Sequence, residues 1–305
     1  MERSVRSRKE AASHMRHVTI KDIARIAGVS TSTVSRALSG SKELSEATRE
    51  RIVKICNEQG YRVNALARSL IRSRTNVIGL IVPEVTNPFY AEVSLGIETH
   101  ARQLGYNVML CNSQQDTKTT EELFGFLTSH QVDGIILNAS GKNSSLITKM
   151  SGQVPFALFS RKIPDPQFRG DFVDNDNYSG LRELTAQLLR LGHRKIGFIN
   201  GQSYVSSAAE RFSGFQSAMR DAGIDVGTDY PYLYSGNFNR LNSGKEGARV
   251  LWEKGVTAIL CGNNLLALGA LQYCKEAGLR LPEDLSLCSF GTLANQDLLF
   301  VRPTS

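Results

Sequence analysis

Cysteine is scarce in this 305-residue chain and follows no pattern. Cys56, Cys111, Cys261, Cys274 and Cys288 are odd in number, and neither a CxxC spacing nor a Cys/His cluster occurs. That argues against a disulfide framework and against a zinc site. Most of the five lie in apolar runs and read as buried thiols of a reducing compartment. No stretch reaches the roughly 18 consecutive apolar residues of a membrane span. The charged N-terminus lacks the apolar segment of a secretory signal. A cytoplasmic location is the expectation. Catalytic signatures are missing as well: GxGxxG after the first strand-like run, GxxxxGK[ST], HExxH and GxSxG do not occur. The histidines are scattered, with His193 in a Leu-Gly-His turn, and no carboxylate pair sits in an apolar setting tuned for acid–base work. No enzyme chemistry, metal or cofactor is expected.

What is present is unevenly distributed. Residues 1–75 hold 16 Lys and Arg against 7 Asp and Glu, while the remainder holds 20 against 22. The overall charge of +7 therefore belongs to the N-terminal quarter, as expected of a part that meets phosphates, although a solvated basic face gives the same sum. Residues 1–17, with Arg3, Arg6, Arg8, Lys9 and Arg16 and almost no apolar side chains, read as a disordered basic arm. Either the arm adds non-specific attraction to phosphates, or it reflects the start site, since Met15 lies just ahead of the first helix.

From Thr19 the sequence TIKDIARIAGVSTSTVSRAL predicts two short helices about a glycine. Thr19 caps the first, whose apolar positions Ile20, Ile23, Ala24 and Ala27 recur at helical spacing. Gly28 permits the turn, and Ser30 caps a second helix with Val34 and Leu38 inside and Thr31, Ser32, Ser35 and Arg36 outside. Such a helix-turn-helix fits its second helix into the major groove and reads base edges from the N-terminal end. A third helix, capped at Ser45 and stopped at Gly60, offers Thr48, Ile52, Ile55, Cys56 and Gln59 to a small core.

Val18-Thr19-Ile20, Asp22-Ile23-Ala24, Ala27-Gly28-Val29-Ser30 and Thr33-Val34-Ser35-Arg36 closely resemble the head of the LacI/GalR family of bacterial regulators. The resemblance implies a DNA-facing set of Thr19, Thr31, Ser32, Thr33, Ser35, Arg36, Asn64, Ala67 and Leu70. Arg36 either reads a base or clamps a phosphate. The run from Asn64 to Leu70 resembles the family's hinge helix, and Leu70 matches a leucine that wedges into the minor groove and kinks the duplex. Val63 stands where the family usually has proline, which leaves the hinge less preset. A homodimer on a pseudo-palindromic operator, in a bacterial cytoplasm and on the nucleoid, follows from the same resemblance.

Beyond residue 76 the pattern becomes that of a parallel α/β protein. Val77–Val82 is a continuous apolar run suited to a strand buried on both faces. The runs 107–110, 134–137, 156–159, 195–199, 258–261 and 285–290 alternate with helix-period stretches. The expected architecture is a small all-α head followed by two α/β lobes with doubly wound parallel sheets, like a periplasmic binding protein. The expected domains are the arm at 1–17, the head at 18–62, a hinge and linker at 63–75, and an effector-binding and dimerisation body at 76–305. Within the body the lobes divide near 161/162, where charged residues and prolines interrupt the pattern.

Ligands of open parallel sheets bind beyond the strands' carboxyl ends. Those ends, with Asn87-Pro88-Phe89-Tyr90, Leu191-Gly192-His193, Arg211 near Gly214-Phe215, and Leu265–Gly269, resemble the family's effector domain. The expected effector site is Phe89, Tyr90, Ser160, Arg161, Arg211, Phe238, Asn264 and Thr292. A sugar ring needs forked polar side chains and an aromatic platform. Arg211 and Asn264 supply the first, and Phe89 or Phe238 the second. A sugar or sugar derivative is thus the implied effector. Three departures stand out: Asn264 and Ser160 occupy positions where aspartate is common, and Ser289-Phe290-Gly291-Thr292 replaces a run that usually ends in aspartate. They remove charge-assisted acceptors for hydroxyls, leaving open a phosphorylated or acidic effector or a weakened response. The family also continues past the turn matched by Pro303-Thr304-Ser305, so an incomplete C-terminus is expected. Two other functions compete with the ligand-responsive repressor: an effector-insensitive DNA-binding protein, and a sugar-binding protein with a vestigial head.

Overall fold

A computed structural model describes residues 18–39, 43–61, 74–140, 142–227, 229–236 and 240–293. The chain divides into two compact units between Thr75 and Asn76.

The first unit holds helices α1 (Ile20–Ala27), α2 (Thr31–Ser39) and α3 (Glu46–Glu58). Thr19 closes a capping box on α1: its Oγ1 accepts from the Asp22 N–H, and its own N–H donates to Asp22 Oδ2. Gly28 ends α1 at φ +65°, a left-handed conformation that favours glycine. Ser30 Oγ then accepts from the Thr33 N–H at 3.1 Å and starts α2. Ile23, Ala24, Ala27, Val34, Ala37, Ile52 and Cys56 form the buried core, with Leu38 and Ile55 packed at its edge. Gln59 is exposed beside the end of α3 and does not join that stripe.

The second unit contains two parallel sheets. The elements of the first are β1 (Val77–Val82), α4 (Pro88–Gln103), β2 (Asn107–Asn112), α5 (Thr117–Ser129), β3 (Gly134–Leu137), α6 (Ser144–Ser151), β4 (Phe156–Phe159) and β5 (Asp171–Val173), with strand order β2-β1-β3-β4-β5. The second has α7 (Asn177–Arg190), β6 (Ile196–Asn200), α8 (Ser206–Asp221), β7 (Leu233–Ser235), α9 (Leu241–Glu253), β8 (Ala258–Cys261), α10 (Asn264–Glu276) and β9 (Ser286–Ser289), in order β7-β6-β8-β9. Because β5 pairs in parallel with β4, the first sheet extends to Val173, past the prolines that mark the expected division at 161/162.

Each sheet buries both faces, which is what parallel strands require. In the first, Ile81, Ile135 and Leu137 pack on Phe124, Leu127 and Ile147. Leu80 and Val82, from the other face, pack on Tyr90 and Phe159. In the second, Ile199 and Ile259 meet Ala248, Leu251 and Ala270, while Phe198 and Leu260 meet Leu181, Phe215 and Met219. None of the five cysteines forms a disulfide, and all are buried.

Helices α9 and α10 approach until backbone meets backbone. A Cβ on Gly244 would lie 2.1 Å from the Leu266 carbonyl oxygen, and one on Gly269 would lie 2.0 Å from that of Leu241. Gly269→Ala should therefore push the helices apart and cost about 2–3 kcal/mol. A urea-unfolding midpoint unchanged from wild type would contradict this contact.

Candidate functional site

On the head, Thr31, Ser32 and Arg36 are exposed along one side of α2. Thr33 and Ser35 are half-buried, and Thr33 Oγ1 lies 2.8 Å from Ser30 Oγ. Ser32 Oγ is 2.7 Å from the same oxygen, so the first turn of α2 presents a linked row of hydroxyls able to donate or accept. Arg36 lies 3.5 Å from Glu43 in an exposed ion pair, which is weak and easily exchanged for another partner. Thr19 is exposed but its side chain serves the capping box. Arg51 donates to the Ala27 carbonyl at 3.1 Å and ties α3 to the end of α1. Asn64, Ala67 and Leu70 lie outside the described residues.

In the second unit, the carboxyl ends of the strands surround a cavity of about 250 Å³. Seven of the eight expected effector residues line it: Phe89, Tyr90, Ser160, Arg161, Arg211, Asn264 and Thr292. Phe238 lies outside the described residues. Asn87, Glu92, Asn175, Ser207, Asn263 and Phe290 also line the cavity. Phe290 follows directly on β9 and Asn263 lies two residues past β8, so the strand-end rule alone points to them. Asn175 follows the three-residue β5, which carries no apolar run to mark it.

The first-sheet wall begins with Asn87, whose Oδ1 caps α4 by accepting from the Phe89 N–H at 3.1 Å. Pro88 follows in the first helical turn, where its missing N–H costs nothing. Phe89 is half-buried and meets Tyr90 edge-on at 5.0 Å, while the Tyr90 hydroxyl reaches Asn138 Oδ1 at 3.4 Å. After β4, Ser160 takes φ +61°, and the Arg161 N–H donates to the Phe159 carbonyl to close a three-residue turn. A left-handed backbone at a non-glycine residue is strained, and such positions cluster at functional sites. The turn leaves Arg161 buried on the cavity floor, with Nη1 donating to the Ala139 carbonyl at 3.3 Å.

The opposite wall centres on Arg211 of α8, which is also buried. Its Nε donates to Asn177 Oδ1 at 2.8 Å and its Nη1 to the Gly262 carbonyl at 2.5 Å. The guanidinium lies 4.2 Å from the centre of the Phe290 ring. Burial pulls its pKa down to about 10, helped by the like charge of Arg161, so it remains charged at neutral pH. Asp174, raised by burial, reaches this arginine through Asn177, whose Nδ2 donates to its Oδ2 at 3.1 Å.

Two links join the walls. Asn264 Nδ2 donates to Asn87 Oδ1 at 3.1 Å, between buried side chains. Lys162, just after β4, engages α8 twice: its N–H donates to Ser206 Oγ at 2.8 Å, and its Nζ pairs with Glu210 Oε1 at 2.9 Å. Outside the cleft, His193 Nδ1 lies 2.8 Å from Thr257 Oγ1 in a structural turn. Among the described residues no cluster of His, Cys, Asp or Glu is arranged to hold a metal, and no helix is long and apolar enough to cross a membrane.

Comparison with known proteins agrees with this geometry. The family described as "Bacterial regulatory proteins, lacI family" matches residues 19–64, and "Periplasmic binding proteins and sugar binding domain of LacI family" matches 75–304. The HTH-type transcriptional regulator DegA of Bacillus subtilis (strain 168) is 35% identical over 277 residues, 89% of this chain and 81% of its own length. The HTH-type transcriptional repressor PurR of Aliivibrio salmonicida (strain LFI1238) is 31% identical over 90% of this chain and 82% of its own. The solved complex of the transcriptional regulator CelR with cellobiose superposes with a TM-score of 0.63 at 29% identity, covering 89% of this chain and 82% of that one. A hydroxyl-bearing helix on a three-helix head, and a polar cleft between two parallel sheets, thus belong to a DNA-binding transcriptional regulator of the LacI family, with a sugar-binding domain and no enzymatic role.

Proposed function

We propose that the chain is a repressor that binds a pseudo-palindromic operator as a homodimer, its affinity set by a sugar-like effector in the cleft. The observation that carries this reading is the Asn264–Asn87 hydrogen bond across the cavity. A ligand that offers hydroxyls to either amide replaces that bond with its own, and so changes how the two walls are held. Arg211, Asn264 and the rings of Phe89 and Phe290 supply the forked polar groups and apolar surfaces that a sugar ring needs. The named repressor among the relatives and the cellobiose bound to CelR favour the same reading.

Dimerisation is supported by the outer surface of α4 and the edge strand β2. Leu95 of α4, Leu110 of β2 and Val85 just before α4 are 64%, 49% and 40% exposed, lining one shallow apolar depression. An exposed apolar patch at an unpaired sheet edge suits a second copy of the chain. Effector binding that alters this arrangement must, by linkage, be altered equally by operator binding.

The reading is tested first by selecting bound duplexes from a random pool with the 305-residue chain at fixed salt. A palindrome with a central deformable step is expected; single half-sites would remove the dimer. Effector-insensitive operator binding favours the second function weighed above, and ligand binding without operator affinity favours the third. Ser32→Ala should change which operator is preferred while leaving the salt slope of binding intact, because base contacts specify and phosphate contacts set salt dependence. Uniform loss on every sequence, with a shallower slope, would contradict base reading. Leu70→Ala should reduce operator affinity by about tenfold or more through loss of the wedge, with a smaller bend in a gel-mobility assay. Asn264→Leu should abolish the response of operator binding to effector and preserve binding without it; a normal response would remove the cross-cleft bond from the mechanism.

A further inference from the structure

The cleft has an electrostatic imbalance that a neutral sugar does not answer. Arg161 is only 4% exposed, yet its guanidinium has one hydrogen-bond acceptor among the described residues, the Ala139 carbonyl, and no carboxylate within ion-pair distance. A guanidinium carries five N–H donors in a planar fork. Arg161 lines the cavity, so whatever occupies the cavity completes the shell of its remaining N–H groups, and an anion does so most strongly. Arg161 lines the same cavity as Arg211, and its like charge stands next after burial among the causes that lower the pKa of Arg211.

Among the described residues, the surrounding acids leave this charge unanswered. Glu210 is paired with Lys162 at 2.9 Å. Asp174 accepts from the Asn175 N–H and from Asn177 Nδ2, so it serves the Arg211 wall. Glu92 lines the cavity but is exposed. The residues nearest Arg161 in sequence, Ser160 on one side and Lys162 on the other, add no negative charge. Across the cleft, Asn264 and Thr292 are neutral.

We propose that the effector carries an anionic group, a carboxylate or a phosphate, seated on the Arg161 guanidinium beside that of Arg211. The inference rests on the cleft being the effector site and narrows its ligand to a charged sugar derivative. The strained turn at Ser160 is then the device that presents Arg161 to the cavity. Asn87, Asn264 and Thr292 remain to bind the ligand's hydroxyls.

Titration calorimetry on the 305-residue chain tests this with matched ligands: D-glucuronate, D-galacturonate, glucose 6-phosphate and ribose 5-phosphate against D-glucose, D-galactose and D-ribose. At least one anion should bind about tenfold or more tightly than its parent, since charge-assisted bidentate contacts are the strong ones. Preference for the acids alone identifies a carboxylate site, and preference for the esters alone a phosphate site; either supports the inference. In Arg161→Gln the charged-to-neutral affinity ratio should fall toward one, whereas Arg161→Lys, which keeps the charge, should retain part of it. If the glutamine variant does not fold, the wild-type ratio at rising salt gives the same readout, since screening reduces only the charged contribution. Parents that bind as tightly as their anions, or a ratio unchanged in Arg161→Gln, overturn the anion inference and leave the sugar-binding cleft standing. No binding by any of these ligands overturns both.

Discussion

Parallel strands can be joined only by crossovers that return the chain to the sheet's starting edge, and this constraint organises the second unit. Each crossover here is helical or loop-borne, so strand after strand ends on the same side, and the helix that follows starts there. The cavity is made of those ends: Asn87 after β1, Ser160 and Arg161 after β4, Asn263 and Asn264 after β8, Phe290 after β9. The small residues inside the helix pairs serve the same end. Gly244 against Leu266, Gly269 against Leu241, and Gly214 against Tyr178 let helices cover each face closely enough for the strands to remain buried.

Within that frame the electrostatics are asymmetric. Arg211 is held by Asn177, Gly262 and Phe290, and the carboxylates of Asp174 and Glu210 approach it through the Asn177 amide. An amide interposed between guanidinium and carboxylates positions the cation and leaves part of its field directed at the cavity. Arg161 has no such collar among the described residues. One wall thus carries a braced cation and the other a less compensated one.

Much of this was legible in the sequence, for identifiable reasons. Strands such as Val77–Val82 and Ala258–Cys261 are apolar throughout because both faces are covered, so they can be read from composition. The capping residues Thr19, Ser30 and Ser45 mark helix starts because short polar side chains satisfy the first free N–H groups. The edge strands Asp171–Val173 and Leu233–Ser235 were not legible: each has three residues, one neighbour and partly exposed side chains, so no pattern accumulates. The loss of the first of them shifted the expected lobe boundary. In the sequence Phe290 reads as the end of an apolar strand run, whereas its ring faces Arg211. The role of Asn177 was out of reach, since it depends on a helix N-terminus meeting α8 across the fold.

Lys162 joins the two walls by two bonds of different character. The backbone N–H to Ser206 Oγ is indifferent to ionic strength, whereas the Nζ–Glu210 pair has its side chains 54% and 32% exposed and is open to screening. Added salt therefore loosens one of the two fastenings beside the cleft. It also weakens the attraction between the basic N-terminal quarter and phosphates. A salt series on operator affinity accordingly sums an interfacial effect and an internal one. Counting phosphate contacts from its slope requires the Lys162–Glu210 pair first to be replaced by a neutral one.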